Sequence, residues 1–294
     1  MENQQNKALL ALRNEIDEID LQLISLLKKR MEVVAKVAEL KTKNNEKFFI
    51  KSAREADMIK ALISRAEGVL PSSVVVDLWR KIITAANMRE QPLAIAIHNP
   101  KEIHFYDFLV KEFYSSVVPI QSFDSINNVV RALEKNEAQI AIFALPNASE
   151  EFDAKEHQEN WWISLANNHL GLRVFATVPF VKFLDEEKNH QRIQLVAVAA
   201  KEPEKSSADA SLLYVETTKE ISKSQILAAL KENSLEGKIL KSTQIPQVEG
   251  ISFHLVELGG FWLESDEQLK NFAKSKIKPY AKILGHFALP IVLK

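Results

Sequence analysis

Arg30 interrupts an otherwise apolar series. Leu9, Leu12, Ile16, Ile19, Leu23, Leu26, Val33, Val37 and Leu40 recur at steps of three and four, and Arg30 takes a place in that series. The spacing is the seam of one continuous helix. A guanidinium on such a seam is costly to bury unless it meets an anion. Two readings follow: a partly exposed arginine paired with a nearby carboxylate, or one held for an anionic ligand. Lys41 lies almost three turns further on and projects from nearly the same face, about 16 Å along the axis. Two long cationic side chains can bracket one small anion there. Arg13 is about 25 Å before Arg30 and turned by roughly a quarter turn. It could serve the same kind of ligand only in the site of another subunit.

Composition removes several other chemistries. The chain has no cysteine, which excludes disulfides, thiolate nucleophiles and Cys-ligated zinc, and is consistent with a reducing cytoplasm. The histidines His98, His104, His157, His169, His190, His254 and His286 are scattered, with no paired spacing that suits a metal. No Gly-rich phosphate loop or Gly-x-Ser-x-Gly elbow occurs, so neither cofactor nor metal is expected. With 38 Lys and Arg against 39 Asp and Glu, bulk charge recruits neither nucleic acid nor an anionic membrane. The opening Met1-Glu2-Asn3-Gln4-Gln5 lacks the pattern of a signal peptide, and no apolar run approaches the roughly 20 residues of a membrane span. A soluble cytoplasmic protein is expected.

The elements that must position these cations are helices. The first glycine is Gly68 and the first proline Pro71, so the opening stretch carries neither strong helix breaker. The seam predicts a helix of about 36 residues, which needs partners along both ends of its apolar face. A plain coiled-coil oligomerisation element and an intertwined dimer both satisfy that need. Ser52 predicts the start of a second helix, with Glu55 completing a capping box and a stop near Gly68. A third is expected from Ser72 or Ser73 to Arg89, ending before Pro92.

Beyond Pro92, short apolar runs alternate with helical patterns, which argues for α/β construction. Strands are expected at residues 93–97, 118–123, 138–145, 172–181 and 193–199, and helices at 104–114 and 124–136. Residues 149–160 read as loop and 201–209 as a polar linker. After it, strands at 212–215, 237–242, 251–258 and 281–289 with helices at 223–232 and 266–274 spell β-α-β-β-α-β. The adjacent Trp161 and Trp162, beside Ile163 and Leu165, read as core in preference to a ligand platform. At 294 residues the chain has room for two or three domains.

Ala8-Leu9-Leu10-Ala11-Leu12-Arg13, Ile19-Asp20, Leu26-Leu27-Lys28-Lys29-Arg30, Lys41, Arg54-Glu55 and Leu78-Trp79-Arg80-Lys81-Ile82-Ile83 together resemble the all-helical chorismate mutases. The match over residues 8–91 is closest to the mutase domain fused to prephenate dehydratase in bacterial P-proteins. The resemblance implies an intertwined homodimer whose chorismate carboxylates are held by Arg30, Arg54 and, from the second subunit, Arg13. It assigns Lys41 to the ether oxygen and Glu55 to the ring hydroxyl. Glu90 takes the position from which relatives touch the ether oxygen, which for a carboxyl group requires the protonated form. Two positions depart from the pattern: Ala86 replaces a frequent Ser, and Lys51 replaces Asp in the loop before the Arg-Glu pair.

The later regions resemble the rest of a P-protein in altered form. Gln121-Ser122-Phe123-Asp124 and Ala132-Leu133-Glu134-Lys135-Asn136-Glu137-Ala138 are similar to the first dehydratase lobe. Its Gly-Pro-x-Gly-Thr turn reads Asn99-Pro100-Lys101-Glu102-Ile103, its Glu-Asn-Ser is replaced around Pro146-Asn147-Ala148-Ser149, and its Thr-Arg-Phe aligns with Ile193-Gln194-Leu195. The tail resembles an ACT regulatory domain at Phe253-His254-Leu255-Val256-Glu257-Leu258-Gly259-Gly260 and Ala281-Lys282-Ile283-Leu284-Gly285-His286. Lys223-Ser224-Gln225-Ile226 and Lys241-Ser242-Thr243-Gln244-Ile245-Pro246 stand where relatives bind an amino acid.

The expected fold is therefore multidomain: an all-α mutase at 1–91, a truncated α/β dehydratase-like region at 92–207 and an α+β ACT-like domain at 208–294. The expected function is chorismate mutase with inactive C-terminal regions and an aromatic amino acid as a candidate effector. The alternatives are a bifunctional mutase/dehydratase and a non-catalytic dimeric scaffold.

Overall fold

The computed structural model describes residues 2–46, 48–100, 103–146, 160–183 and 194–293. Several sequence features fall outside them: Lys101 and Glu102, most of the 149–160 loop with Asn147 to Ser149, His157, His190 and Ile193. The chain divides into two compact units, residues 1–49 with 85–92, and residues 50–84 with 93–294.

The first unit is built on helix α1 (Glu2–Lys43), 42 residues long. It outruns its apolar seam because nothing in the flanking sequence stops it. Its end is made by Asn45 in the left-handed region at φ 56°, while the Glu46 N–H reaches back to the Lys41 carbonyl. That αL turn is a standard way to satisfy orphan carbonyls. Leu9, Leu12, Ile16, Ile19, Leu23, Leu26, Val33 and Leu40 each leave 48% or more of their surface exposed. A lone helix cannot bury its own stripe.

The second unit contains α2 (Ser52–Ala66) and the first part of α3 (Ser72–Glu90), whose last residues belong to the first unit. The capping box expected at Ser52 does not form: Lys51 is the N-cap residue, with no side-chain cap. The Ser52 hydroxyl instead donates to the Phe175 carbonyl at 2.9 Å, and Glu55 is engaged by Arg80. Both side chains are drawn off the local backbone by tertiary partners.

The remaining elements are β1 (Ile95–His98), α4 (His104–Tyr114), β2 (Ile120–Phe123), α5 (Ile126–Glu134), β3 (Ile140–Leu145), α6 (Trp161–Ala166), β4 (Leu172–Val178), β5 (Val181–Phe183) and β6 (Gln194–Ala200). They are followed by β7 (Asp209–Thr218), α7 (Lys223–Glu232), β8 (Gly237–Thr243), β9 (Ile251–Gly259), α8 (Glu267–Ala273), β10 (Tyr280–Ala288) and β11 (Ile291–Leu293). The expected 172–181 strand is interrupted between β4 and β5, and α6 and β11 were not foreseen from the sequence. Among the described residues no helix is long and apolar enough to cross a membrane.

Among the described residues, nine strands form one mixed sheet in the order β2-β1-β3-β6-β4-β10-β7-β9-β8. The two stretches read as separate regions thus share a sheet, because β10 pairs antiparallel with β7 and parallel with β4. Gly285 makes that seam sterically feasible. It sits at φ 143° opposite Val174, and a Cβ there would run into the Val174 backbone. Alternation along the strands feeds two cores. Leu212, Tyr214, Phe253 and Leu255 pack with Trp161, Trp162 and α5 on one face. Leu213, Val215, Val256 and Leu258 pack with Ile226 of α7 and Phe272 of α8 on the other. The core reading of the tryptophans holds: Trp162 is fully buried and Trp161 stacks on Phe143.

The polar 201–209 segment is a strap pinned to α2. Lys201 donates to the Ile50 carbonyl at 3.1 Å and to Glu204. The Ser207 N–H and hydroxyl donate to Asp57.

Candidate functional site

In the first unit, α1 carries three of the singled-out cations. Arg13 is exposed. Arg30 is half-buried, and its Nη1 is buried without a hydrogen-bond partner among the described residues. Lys41 is more deeply set, with 13% of its side chain exposed. Its ammonium pairs with the Glu90 carboxylate at 2.5 Å, donates to the Phe49 carbonyl at 2.7 Å and lies 5.4 Å from the Phe49 ring centroid. The Phe49 N–H donates to Gln91 Oε1 at 3.0 Å, while Gln91 Nε2 is buried and unpartnered among the described residues.

Two buried N–H donors without acceptors are a specific observation, since each unmade hydrogen bond of this kind costs about 1–3 kcal/mol. An anionic, acceptor-rich ligand would repay that cost. Glu90, expected to touch the ether oxygen, accepts from Lys41. This ion pair within the first unit was not foreseen from the sequence.

In the second unit, Arg54 and Glu55 are neighbours in sequence but not in environment. Arg54 is exposed, whereas Glu55 is 9% exposed. The Glu55 Oε2 accepts from Arg80 Nη1 at 3.0 Å, and the Arg80 guanidinium lies 3.8 Å from the Phe113 ring centroid. Such stacking favours arginine over lysine. Burial pushes the Tyr114 hydroxyl well above its ordinary range; nearby Arg80 opposes the shift and Glu55 adds to it. Lys51, the reversed charge of the loop, pairs with Glu204 at 3.4 Å, so its charge is answered by the strap. Ala86 is buried.

The structure therefore brings Lys41 and Glu90 together, places Arg13, Arg30 and Lys41 on one helix, and puts Glu55 against Arg80. Arg80 was not among the expected site residues. The signal existed: it falls in the buried series Val76, Arg80, Ile83, Thr84 and Asn87 of α3, an arginine on an inward face like Arg30.

Comparison with known proteins identifies relatives of the N-terminal segment. Residues 12–91 match the family model of chorismate mutase type II. The bifunctional chorismate mutase/prephenate dehydratase of Stutzerimonas stutzeri is 27% identical over 146 residues, covering 48% of this chain and 40% of that protein. The T-protein of Enterobacter agglomerans is 36% identical over 76 residues, 26% of this chain and 20% of that one. The chain thus spans well under two thirds of the length of these curated relatives. Among solved structures, a prephenate dehydratase from Streptococcus mutans is similar with a TM-score of 0.43 and 16% identity, covering 68% of this chain and 100% of that chain. The resemblance read from residues 8–91 is borne out: the N-terminal segment carries the signature of chorismate mutase type II.

Proposed function

We infer that the chain is a chorismate mutase that works as a homodimer in aromatic amino acid biosynthesis. The observation that carries this reading is the half-buried Arg30 with its unpartnered Nη1, on the same helix as Lys41, inside the segment that matches the family. Rearranging chorismate to prephenate breaks a C–O bond as a C–C bond forms, and negative charge grows on the ether oxygen. No proton is transferred and no nucleophile is required. The protein contributes by holding the reactive conformer and by aiming fixed positive charge at that oxygen.

Lys41 supplies the charge, and Glu90 and the Phe49 carbonyl hold it. Arg30 and Arg54 receive carboxylates with their planar forks, Arg13 of a second copy completes the set, and Glu55 addresses the ring hydroxyl. The second copy is called for by the exposed seam of α1, a stripe of large apolar residues that one chain leaves open. The working division is a mutase at 1–91, a dehydratase-like region at 92–207 without turnover, and an ACT-like region at 208–294 with structural or effector-binding duty, in a cytoplasmic enzyme. A bifunctional enzyme is the second reading, supported by the names of the relatives and opposed by the altered Thr-Arg-Phe segment.

The test supplies chorismate to the purified chain and follows chorismate, prephenate and phenylpyruvate, with and without aromatic amino acids. Prephenate without phenylpyruvate is expected; no loss of chorismate overturns the reading. Mixing Arg13→Ala and Arg30→Ala subunits at equal amounts should restore about a quarter of the activity, one intact site in each mixed dimer. No rescue after demonstrated subunit exchange refutes the shared site.

A further inference from the structure

A lysine ammonium carries three N–H donors, and two of those on Lys41 are committed within the first unit, one to Glu90 and one to the Phe49 carbonyl at 2.7 Å. These two acceptors set the direction of the third donor, the one left for a ligand. Glu90 is the last residue of α3 and is held by that helix. Phe49 lies between α1 and α2 in neither helix nor strand. Yet its carbonyl accepts from the ammonium and its ring centroid lies 5.4 Å from it. Something outside the local backbone has to keep Phe49 still.

Gln91 does so from 42 positions away, its Oε1 accepting from the Phe49 N–H at 3.0 Å. The reverse placing of the amide would set an NH2 group against that N–H, two donors facing each other, so chemistry fixes which end of the side chain points there. The Gln91 N–H in turn donates to the Asn87 carbonyl at 3.1 Å, which carries the last turn of α3 one residue further. Consecutive residues at one helix end thus hold the ammonium twice, Glu90 directly and Gln91 through Phe49. Phe49 is only 9% exposed, so little water is at hand to replace the glutamine.

We propose, resting on the mutase reading, that Gln91 is a positioning residue for Lys41: it holds Phe49 so that the third ammonium donor stays aimed at the ether oxygen of chorismate. The rival role is a direct contact, in which the unpartnered Nε2 donates to the substrate. The two roles use opposite ends of one amide. A misplacement of about 1 Å at a reacting group can cost about a hundredfold in rate, so loosening Phe49 should lower kcat about tenfold to a hundredfold. The arginines that receive the carboxylates are untouched, and KM should change less than about threefold.

The experiment measures chorismate turnover by the parent chain, Gln91→Met, Gln91→Asn and Gln91→Glu, and hydrogen exchange at the Phe49 amide of each protein without substrate. Gln91→Met removes the acceptor, Gln91→Asn withdraws it by one methylene, and Gln91→Glu keeps an acceptor oxygen while removing the Nε2 donor. The first two should lose kcat as stated and exchange the Phe49 amide at least about tenfold faster. Gln91→Glu should recover most of both. Gln91→Asn stands in if Gln91→Met fails to fold. Four results overturn the proposal: kcat within about threefold of the parent in Gln91→Met and Gln91→Asn; a fall in Gln91→Glu as deep as in Gln91→Met, which gives the Nε2 donor a substrate contact; a rise in KM as large as the fall in kcat, which is a binding role; or unchanged exchange at Phe49. A parent that consumes no chorismate refutes the mutase reading and this role with it, whereas an active parent with unaffected variants refutes this role alone.

Discussion

Removing either member of the Glu55–Arg80 pair should destabilise the protein far more than removing both. The side chains are 11% and 7% exposed and meet at 3.0 Å, so each single change leaves a charge buried without its partner. Breaking a buried pair in that way costs about 3–5 kcal/mol. Glu55→Gln keeps the shape and leaves Arg80 unanswered. Arg80→Met keeps most of the stem and leaves Glu55 unanswered, with a further loss of about 0.5–2 kcal/mol from the guanidinium on Phe113. The double variant buries no net charge and should lose only about 1–3 kcal/mol, since apolar or neutral replacements of buried pairs are frequently near neutral. The two single losses less the double loss therefore give an expected coupling of at least about 3 kcal/mol. Urea unfolding midpoints of the parent, both single variants and the double variant, compared at unchanged m, measure it. Additive losses, within about 0.5 kcal/mol, would refute the claim that the pair is a coupled buried charge. A Glu55→Gln variant that lost turnover with no loss of stability would assign Glu55 to chorismate alone.

Three further outcomes follow from the same geometry. Lys41→Gln removes the charge aimed at the ether oxygen and should lower kcat about a hundredfold to a thousandfold, with a smaller change in KM; a fall of less than tenfold in chorismate consumption contradicts its role. Leu23→Asp, at the middle of the exposed seam, should shift the sedimenting species toward monomer and reduce turnover with it; an unchanged sedimentation profile removes the case for α1 as the dimer seam. Burial, reinforced by Lys223, pushes His254 down from 6.5 to about 4, while its ring nitrogens contact Thr217 and Ser242. The unfolded chain therefore takes up this proton first, and stability falls as pH drops from about 6.5 toward 4, by roughly 2 kcal/mol against a ceiling near 3. His254→Gln should flatten most of that slope in urea midpoints measured between pH 4.5 and 8. His286, also lowered by burial, leaves a residue of it. A slope identical to the parent's would show that His254 does not carry it.

Much of the architecture was legible because its signals are local. The bounds of α4 and α7 agree with the sequence reading at both ends, and the β-α-β-β-α-β order of the tail is present as read. Arg30 was legible too, as a charge at an apolar position of one helix. Its unpartnered Nη1 gives that oddity a physical content.

Other features depended on residues far apart in the chain. Glu55 looked like a helix cap until Arg80 was seen across from it. Ser52 looked like a cap until the Phe175 carbonyl took its hydroxyl. Lys51 had no readable direction before Glu204 was placed beside it. Two strand runs looked like two regions until β10 entered between β4 and β7, which Gly285 permits by having no Cβ. Period and breakers act over a few residues, so the amino-acid sequence by itself determined most of the helices and strands and the cationic face of α1, though not α6 or β11. Which carboxylate answers which cation, and which strand lies beside which, is settled by burial. Only the folded chain decides what is removed from water together.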